Sequence, residues 1–434
     1  MNKLNKLLVI VLFSFLCSQN VQSQFVISGE FRPKAMLMDG YKELRNDTKF
    51  PYGIVIQRSR LNFDYAKDNI SIGFSLQDVR VWGQDASTAN NNTVGVHEAW
   101  LKYAFCKDLA IKLGRQTLKY DDERLLSTIN WRDQNAVHDI ALLQYSNEKN
   151  AFKADFGLAL NNPAAYQNFL TEYSVSNYKY MSFLWLNKKF FDKSLETSLL
   201  GIADVYQTPS TIKNYKTRYT VGPYINYKKG NLNLSSSFYY QTGKLANNKD
   251  VDAIFYSAKA MYKVHKILEL GVGFDHYSGT DFSDTTKAKT KSTTFDKLYG
   301  SGHTFLGYMD YFNGNSSDIT KGAGVNDIYF KANLVFNEKH SMEATYHIFS
   351  LDKPYFLVSK KASIKYDKSL GSEIDLLYSY KPNKIVNFNL GYSVFLPSET
   401  MENIHGFAKG DSKFAQFAYL MLTIKPVFLN YTEK

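Results

Sequence analysis

Runs of about ten residues in which apolar and polar side chains alternate recur along the whole chain, and they constrain its fold more than any other feature of the sequence. In the run at 152–161, Phe156 and Leu158 are apolar, whereas Lys153 and Asp155 are charged. Because successive side chains of a strand point to opposite faces, such a run predicts a strand with one apolar and one polar face. The other clear runs lie at 215–227, 268–275 and 386–396.

Short turns and long loops alternate between the predicted strands. The short turns lie at 66–68, 106–108, 147–150, 190–193, 229–231, 264–266, 337–339 and 381–384. The long loops lie at about 38–52, 82–93, 119–135, 162–177, 207–214, 242–251, 280–322, 350–372 and 398–412. Eight short turns and nine long loops predict about 18 strands; reading 303–312 and 359–366 as strands as well would give 20.

An even strand number, with short turns on one side and long loops on the other, is the pattern of a bacterial outer-membrane barrel. The fold class predicted is therefore all-β: a transmembrane antiparallel β-barrel of about 18 strands, with short periplasmic turns and long extracellular loops. The sequence contains 32 Tyr and 31 Phe but only 9 Pro. This aromatic content suits one large β domain whose outer face carries aromatic girdles.

Residues 1–23 have the composition of a secretory signal peptide. Two lysines precede an apolar core at 7–17, and residues 21–23 are short enough for cleavage. The core is too short for a membrane helix, which needs about 20 apolar residues. Cys17 would also suit a lipoprotein, but the bulky residues before it disfavour that cleavage. Residues 24–434 would then form a single barrel domain, with the formal charge lowered from +11 to +9 by the loss of the two lysines.

Several blocks of sequence carry a family resemblance. The most specific are HEAWLKY at 97–103, GRQTLKYDDERLLSTINWRDQNAVHD at 114–139 and FDKLYGSGHTFLGYMDYF at 295–312. On these blocks the chain resembles the alginate export family of outer-membrane barrels, and within it the Bacteroidetes-type branch. The resemblance implies a monomeric 18-stranded barrel that passes a polyanionic polysaccharide through a charged, loop-constricted pore. The polar faces of this chain mix arginines with carboxylates, unlike the arginine-rich conduit of the polysaccharide-exporting member.

A barrel must turn the charges of its strands toward the lumen, because a charge facing lipid at the midplane costs about 2–4 kcal/mol. Parity along the strands directs Arg32, Arg58, Arg60 and Arg218 inward. Arg80 lies where the alternation breaks, so its direction stays open. The other charges on the polar faces are Glu30, Lys34, Asp64, Lys216, Lys259, Glu269, Asp275, Asp327, Lys331, Glu343, Glu373 and Asp375.

Arginines are concentrated in the first five predicted strands and in the loop at 119–135. Rings of Arg or Lys attract anions, and Arg forks bind carboxylates bidentately. Ion-pair ladders that only brace the wall are the alternative, and the sequence leaves both interpretations open. The predicted pore-lining set is Arg32, Arg58, Arg60, Arg80, Arg115, Arg124, Arg132, Asp139 and Arg218.

The loop at 119–135 is predicted to fold into the barrel mouth. Its apolar residues, Leu125, Leu126, Ile129 and Trp131, are too costly to leave in water. Three consecutive acids would form a loop constriction, either pairing with the arginines or repelling a polyanion. We expect Arg124 and Arg132 to narrow the pore against Arg115 and Asp139, with Asp121, Asp122 and Glu123 as the constriction.

Other functional classes find little support in the sequence. The chain lacks the G-x-S-x-G, HExxH, CxxC, P-loop and GxGxxG motifs. The pairs His138-Asp139 and Asp121-Asp122 could do acid–base chemistry, but a structural network is favoured. With Cys106 as the one cysteine after residue 23, no internal disulfide or thiolate metal cluster can form. We expect no cofactor, no metal site and no nucleic-acid partner, since the lysines are dispersed.

The sequence therefore predicts an outer-membrane channel. The solute would be an anionic saccharide such as an alginate-like polyuronate, or another small anion, and the pore would be lined by arginine and constricted by a loop. The partners expected are outer-membrane lipid and that solute, and the barrel is expected to be a monomer. A general porin with weak selectivity and, less favoured, an outer-membrane hydrolase are the alternatives.

Overall fold

The structure, a computed structural model, describes residues 23–48, 50–85, 93–162, 178–207, 214–312, 320–358 and 363–433. The predicted signal segment lies almost wholly outside the described residues. The described part of the chain includes two short helices, α1 (Thr285–Thr290) and α2 (Glu399–Ile404). None of the described helices is long and apolar enough to cross a membrane.

Eighteen long strands form one antiparallel sheet that closes on itself, and the two-residue strand Lys291–Ser292 pairs in parallel with residues 250 and 251 at its rim. The first nine are β1 (Gln24–Asp39), β2 (Tyr52–Lys67), β3 (Ile70–Val81), β4 (Gly95–Cys106), β5 (Leu109–Gln116), β6 (His138–Asn147), β7 (Phe152–Leu160), β8 (Tyr180–Phe190) and β9 (Leu195–Gln207). The others are β10 (Tyr215–Lys229), β11 (Leu232–Lys244), β12 (Asp250–His265), β13 (Leu268–Tyr277), β14 (Val325–Val335), β15 (His340–Ser350), β16 (Ser369–Tyr380), β17 (Val386–Pro397) and β18 (Ala415–Ile424, continued by Val427–Thr432).

Each strand pairs with its neighbours in sequence, and β1 pairs both with β2 and with β18. The pairing of Leu37 with Ala418 is part of the closing seam. β18 is interrupted at Pro426, which has no N–H to donate to the sheet. Closure leaves no exposed sheet edge, as a barrel requires. The prediction of an 18-stranded antiparallel barrel is therefore confirmed.

Short turns join the strands at one end of the barrel and long loops join them at the other, as the sequence predicted. The turns are tight because residues such as Asp68 and Lys193 adopt positive φ angles. Residues 303–312 form turns and no strand. The short strands Phe356–Val358 and Ser363–Lys365 pair only with each other, outside the barrel sheet. The stretch at 303–312 and the described part of 359–366, residues 363–366, thus belong to loops, and the count of 18 stands.

The two faces of the wall separate apolar from charged side chains. Phe156, Leu158 and Leu199 are exposed on the outer face. Arg58 and Asp275, on the inner face, are fully buried. Since the charges lie inside, their burial must come from other protein groups that fill the lumen.

A hydrophobic core fills the lumen near the long-loop end. Loop residues Leu126 and Met309 have no exposed surface, and neither do Phe395 and Phe417 of the wall. Aromatic contacts join the two sets; the rings of Tyr311 and Phe395 have centroids 4.4 Å apart. The loops thus pack against the inside of the barrel as the core of a globular domain would.

Candidate functional site

The loop between β5 and β6, residues 117–137, crosses the lumen and contacts widely separated parts of the wall. At its start, the Tyr120 hydroxyl donates to Asp155 of β7 at 2.8 Å. In its middle, the Arg124 guanidinium binds both oxygens of Asp275 on β13, at 2.7 and 2.8 Å. Near its end, Asp133 accepts from Arg32 of β1 at 2.7 Å. The prediction that this loop folds into the barrel agrees with these contacts.

The loop between β13 and β14 joins it through backbone hydrogen bonds. Tyr299 N–H donates to Leu125 C=O at 3.1 Å, and Ser127 N–H donates to Tyr299 C=O at 3.2 Å. Ser301 N–H donates to Glu123 C=O at 3.1 Å. We call residues 120–135 and 295–312 together the two-loop plug. The second half of this plug was not predicted, although its aromatic run at 303–312 was a signal for burial.

The second loop has its own contacts with the wall. Asp296 pairs with Arg218 of β10 at 2.7 Å. Met309 N–H donates to Glu373 of β16 at 2.7 Å. The Trp131 side chain joins the two loops, because its ring stacks on the His303 ring at a centroid distance of 3.8 Å. The plug is therefore fastened to the wall by charged groups and locked internally by backbone and ring contacts.

The three acids predicted as a constriction have their partners on the first loop and on the wall. Asp121 accepts from Trp185 at 2.8 Å and from Ser198 at 2.6 Å. Asp122 pairs with Arg124 at 3.0 Å, within the loop. Glu123 pairs with Lys119 at 2.7 Å, also within the loop. Their partners are on the loop and the wall, so they give the plug its shape.

Burial and neighbouring charges shift several pKa values in the plug. Burial raises the pKa of Asp121 to about 6, although its two hydrogen bonds oppose the shift. Burial lowers the pKa of Lys297 to about 8. Burial alone would raise the pKa of Asp310, but His303 and the other donors outweigh it and the pKa is lowered. Asp310 therefore accepts its hydrogen bonds as a carboxylate, whereas Asp121 becomes protonated below about pH 6.

The four arginines that strand parity directed inward face the lumen; Arg32, Arg58 and Arg218 bind carboxylates there, and Arg60 binds an amide. Arg58 binds Glu30 through Nε at 2.7 Å. Arg218 binds Asp204 at 2.7 Å as well as Asp296. Arg60 donates to the amide oxygen of Gln77 at 2.6 Å. Arg58 and Arg218 thus make ion pairs with the wall and the plug, as the bracing interpretation expects.

Three residues of the predicted pore-lining set lie on the outer face, and their assignment is corrected. Arg115 pairs in register with Asp139 at 3.1 Å, and both share the face of Leu113, which is exposed. Arg80 lies beside the outward-facing Gln57 and pairs with Asp78 at 2.7 Å. Each lies at a strand end next to a long loop, where an outward charge can reach water and headgroups.

The expected partners of Arg124 and Arg132 are also corrected. Arg124 is buried and spans the lumen to β13, so it does not face Arg115 or Asp139. Arg132 is exposed and lines a cavity of about 600 Å³ on the long-loop side of the plug. That cavity is also lined by Lys34, Lys42 and Trp131.

A second cavity, of about 610 Å³, lies on the short-turn side of the first loop and was missed by the sequence analysis. Its lining includes Lys102, Lys112 and Lys153 together with Trp100 and Trp185, and we call these five residues the lysine basin. Lys112 lies over the Trp100 ring at 3.8 Å. Among the described residues, none of the three lysines has a carboxylate within salt-bridge distance. The signal was present in the sequence as single lysines on the polar faces of β4, β5 and β7.

Carboxylates dominate the opposite wall, where the polar faces of β13 to β16 meet. Asp327 accepts from His347 at 2.7 Å, and Lys331 pairs with Glu343 at 2.7 Å. Asp375 lies on the other side of the same His347, at 3.5 Å. A cavity of about 280 Å³ is lined by several of these groups. Lys331 and His347 offset part of this negative charge.

Comparisons with known proteins agree on the architecture. The alginate export family model matches residues 44–414. No curated protein matches the sequence significantly. Similar solved structures include OccAB4 of Acinetobacter baumannii (14% identity, 94% of this chain and 99% of that one, TM-score 0.59) and OpdO of Pseudomonas aeruginosa (13%, 93% and 98%, 0.61). OpdK of Pseudomonas aeruginosa with vanillate is similar as well (10%, 94% and 99%, 0.57).

At such low identities these structures show the fold alone, and they share the closed barrel over nearly the full length of both chains. The family model, in contrast, is matched by the sequence itself over most of the chain. The protein therefore belongs to the alginate export family and is a β-barrel channel of the outer membrane.

Proposed function

We propose that the channel passes an anionic saccharide, or another small organic anion, and that the lysine basin attracts it. The observation that carries this proposal is the absence of a described ion-pair partner for Lys102, Lys112 and Lys153, which face one cavity. Lysines clustered in a low-dielectric wall raise the local concentration of anions. The arginines of the predicted set would then brace the wall and the plug.

The shape of the basin suits a carboxylated sugar. Its volume of about 610 Å³ lies within the range of clefts that hold small organic ligands. Trp185 offers an apolar surface for the C–H face of a sugar ring, while the lysines offer charge for its carboxylate. The similar channel OpdK was crystallised with vanillate, which is also a carboxylate.

Reversal potentials in planar bilayers under a KCl gradient test the proposal. The wild-type channel should be anion-selective, and changing Lys102, Lys112 and Lys153 together to Gln should shift the reversal potential toward cation selectivity. Lys384→Gln, on the exposed turn between β16 and β17, is the matched control and should change nothing. Cation selectivity of the wild type, or an unchanged reversal potential in the triple variant, would overturn the proposal.

The alternative function, a general porin with weak selectivity, is favoured by the carboxylate-rich wall of β13 to β16. It predicts a reversal potential near zero and similar permeation of neutral and acidic sugars. The hydrolase alternative loses its clearest candidate pair, because His138 faces the lumen and Asp139 faces outward. Hydrolytic activity that is lost on His138→Ala would restore it.

A further inference from the structure

Residues 129–135 form a closed finger at the end of the first loop. Ala136 N–H donates to Thr128 C=O at 2.8 Å and closes the base of the finger. Ile129 and Asn135, its first and last residues, have φ angles of 47° and 62°. Positive φ is unfavourable for a β-branched residue such as isoleucine, so the finger is held in a strained conformation.

The tip of the finger places a carboxylate in a cluster of cations. Asp133 binds Arg32 at 2.7 Å and Lys34 at 3.0 Å, and all three side chains are almost fully buried. The Arg58 guanidinium donates to the backbone C=O of Asp133 at 3.3 Å. Two cations on one strand thus share a carboxylate that belongs to a loop.

Without Asp133, the cluster would have excess positive charge. Glu30 is the wall carboxylate that pairs with Arg58, and it is already shared with Lys425 at 3.2 Å. The Nε of Arg32 is buried and has no hydrogen-bond partner among the described residues. Buried cations need a paired anion, so a vacated cluster would bind another carboxylate.

The cluster borders a cavity on the extracellular side of the plug. Lys34 and Asp133 both line the cavity of about 600 Å³ that Arg132 and Lys42 also line. Trp131, whose ring lies 4.0 Å from the Lys34 ammonium, forms part of the same lining. A carboxylated solute in this cavity would therefore meet exposed cations first and then the ion pair of Lys34 and Asp133.

We infer that Arg32, Lys34 and Arg58 form a carboxylate-binding site for the transported solute, and that Asp133 occupies this site in the closed channel. An anionic solute displaces Asp133, and the finger swings away from β1 and β2. The inference rests on the proposed function, because it requires the solute to be an anion.

The finger can leave the wall while the start of the first loop stays in place, once Trp131 separates from His303 and Asp310 of the second loop. Residues before it are held by Arg124 on Asp275 and by the backbone bonds to Tyr299. The bond between Ala136 and Thr128 isolates the finger from those contacts. Strain at Ile129 would be relieved when the finger leaves the wall. Opening therefore costs mainly the contacts of the finger with the cation cluster and with the groups around Trp131.

Single-channel recording with Asp133→Asn tests the inference. Asn retains the shape of the side chain but lacks the charge, so the ratio of open to closed time should rise at least about tenfold, since a hydrogen bond to a charged group contributes at least that factor. Asp139→Asn, on the outer face, is the matched control and should gate as the wild type does. A wild-type closed fraction in Asp133→Asn would overturn the inference.

Titration with sodium glucuronate provides the second arm. In the wild type, glucuronate should raise the open fraction in a saturable manner, whereas glucose at equal concentration should not. Asp133→Asn should already be open and unresponsive. Arg32→Gln removes one of the two cations bound to Asp133 and is the variant to use if Asp133→Asn does not fold. It should be open for a larger fraction of the time and should need a higher glucuronate concentration to respond. No response to glucuronate in an anion-selective wild type would reject the site alone, whereas cation selectivity would reject the proposed function as well.

Discussion

Arg124 is the side chain on which the position of the plug depends most. Its guanidinium is buried, binds both oxygens of Asp275, pairs with Asp122 and lies 3.9 Å from the Phe305 ring centroid. Such a pair contributes little net stability compared with an apolar substitute, but removing one partner leaves a buried charge. The Arg124 side chain therefore fixes the position of the first loop relative to β13.

Arg124→Gln should lower the free energy of unfolding by about 3–5 kcal/mol, because Asp275 would be buried without its counter-charge. The double variant Arg124→Gln with Asp275→Asn should recover much of that loss. Urea unfolding of the barrel in detergent micelles measures both. Equal destabilisation by the single and double variants would show that the ion pair does not carry the effect.

Asp121 should make the plug sensitive to pH. Its pKa in the folded protein is about 6, above the value near 3.9 of a free side chain, so the folded state binds more protons between about pH 4 and pH 6. Its contribution to stability is thus largest below that window and is lost as the pH rises through it. Asp122 and Glu196, which face the same carboxylate, add to the effect.

We expect the open fraction of the wild type to be greater at pH 7.5 than at pH 5, and Asp121→Asn to remove that difference. Asn can still accept hydrogen bonds from Trp185 and Ser198, so the contacts of the loop with the wall are preserved. Single-channel recordings at the two pH values compare the variants. A pH response that persists in Asp121→Asn would assign the titration to another group.

Strand parity predicted which face most single charges occupy but not which groups neutralise them. Arg218 was correctly directed inward, yet one of its partners, Asp296, lies 78 positions away in a loop. Arg115 and Asp139 were misassigned because an outward charge is tolerated at a strand end, where water and headgroups are close. Pairing across such sequence distances is a property of the folded chain and leaves no local signal.

The two loops of the plug are in close backbone contact at Gly300. Gly300 allows their close contact, because a Cβ atom there would lie only 1.8 Å from the Arg124 carbonyl oxygen. Any side chain at this position would push the two backbones apart. The contact is therefore specific to glycine, and it offers a way to separate the loops without changing a charge.

Gly300→Ala should loosen the plug and destabilise the protein by about 1–3 kcal/mol, the usual cost of overpacking. Single-channel recordings should show more frequent openings. Gly201→Ala is the control, because a Cβ there meets nothing within 4 Å. Wild-type gating in Gly300→Ala would mean that this contact between the two loops does not limit opening.

The strands could be predicted from the sequence, whereas the plug could be predicted only in part. Alternation and turn chemistry specify strands locally, since a strand must match the two faces of the wall. The apolar residues Leu125 and Leu126 indicated that the first loop folds inward, and both are buried. The parallel bridge between Leu126 and Tyr299 joins two loops far apart in the chain, and no periodic pattern encodes such a contact.

Across the whole molecule, the charge of the lumen is divided between two walls. Lysines without described ion-pair partners line β4, β5 and β7, whereas carboxylates and their partners line β13 to β16. The plug lies between the lysine basin on the periplasmic side and the Arg132 cavity on the extracellular side. We propose that a solute displaces part of the plug to pass from one cavity to the other.

The conductance of a variant that lacks residues 121–131 tests most directly whether the plug closes the pore. The deletion removes Arg124 and Trp131 and therefore both the anchor on β13 and the ring contact with the second loop. We predict a single-channel conductance several-fold above that of the wild type, with anion selectivity retained because the lysine basin is intact. A folded deletion variant with the conductance of the wild type would contradict the account.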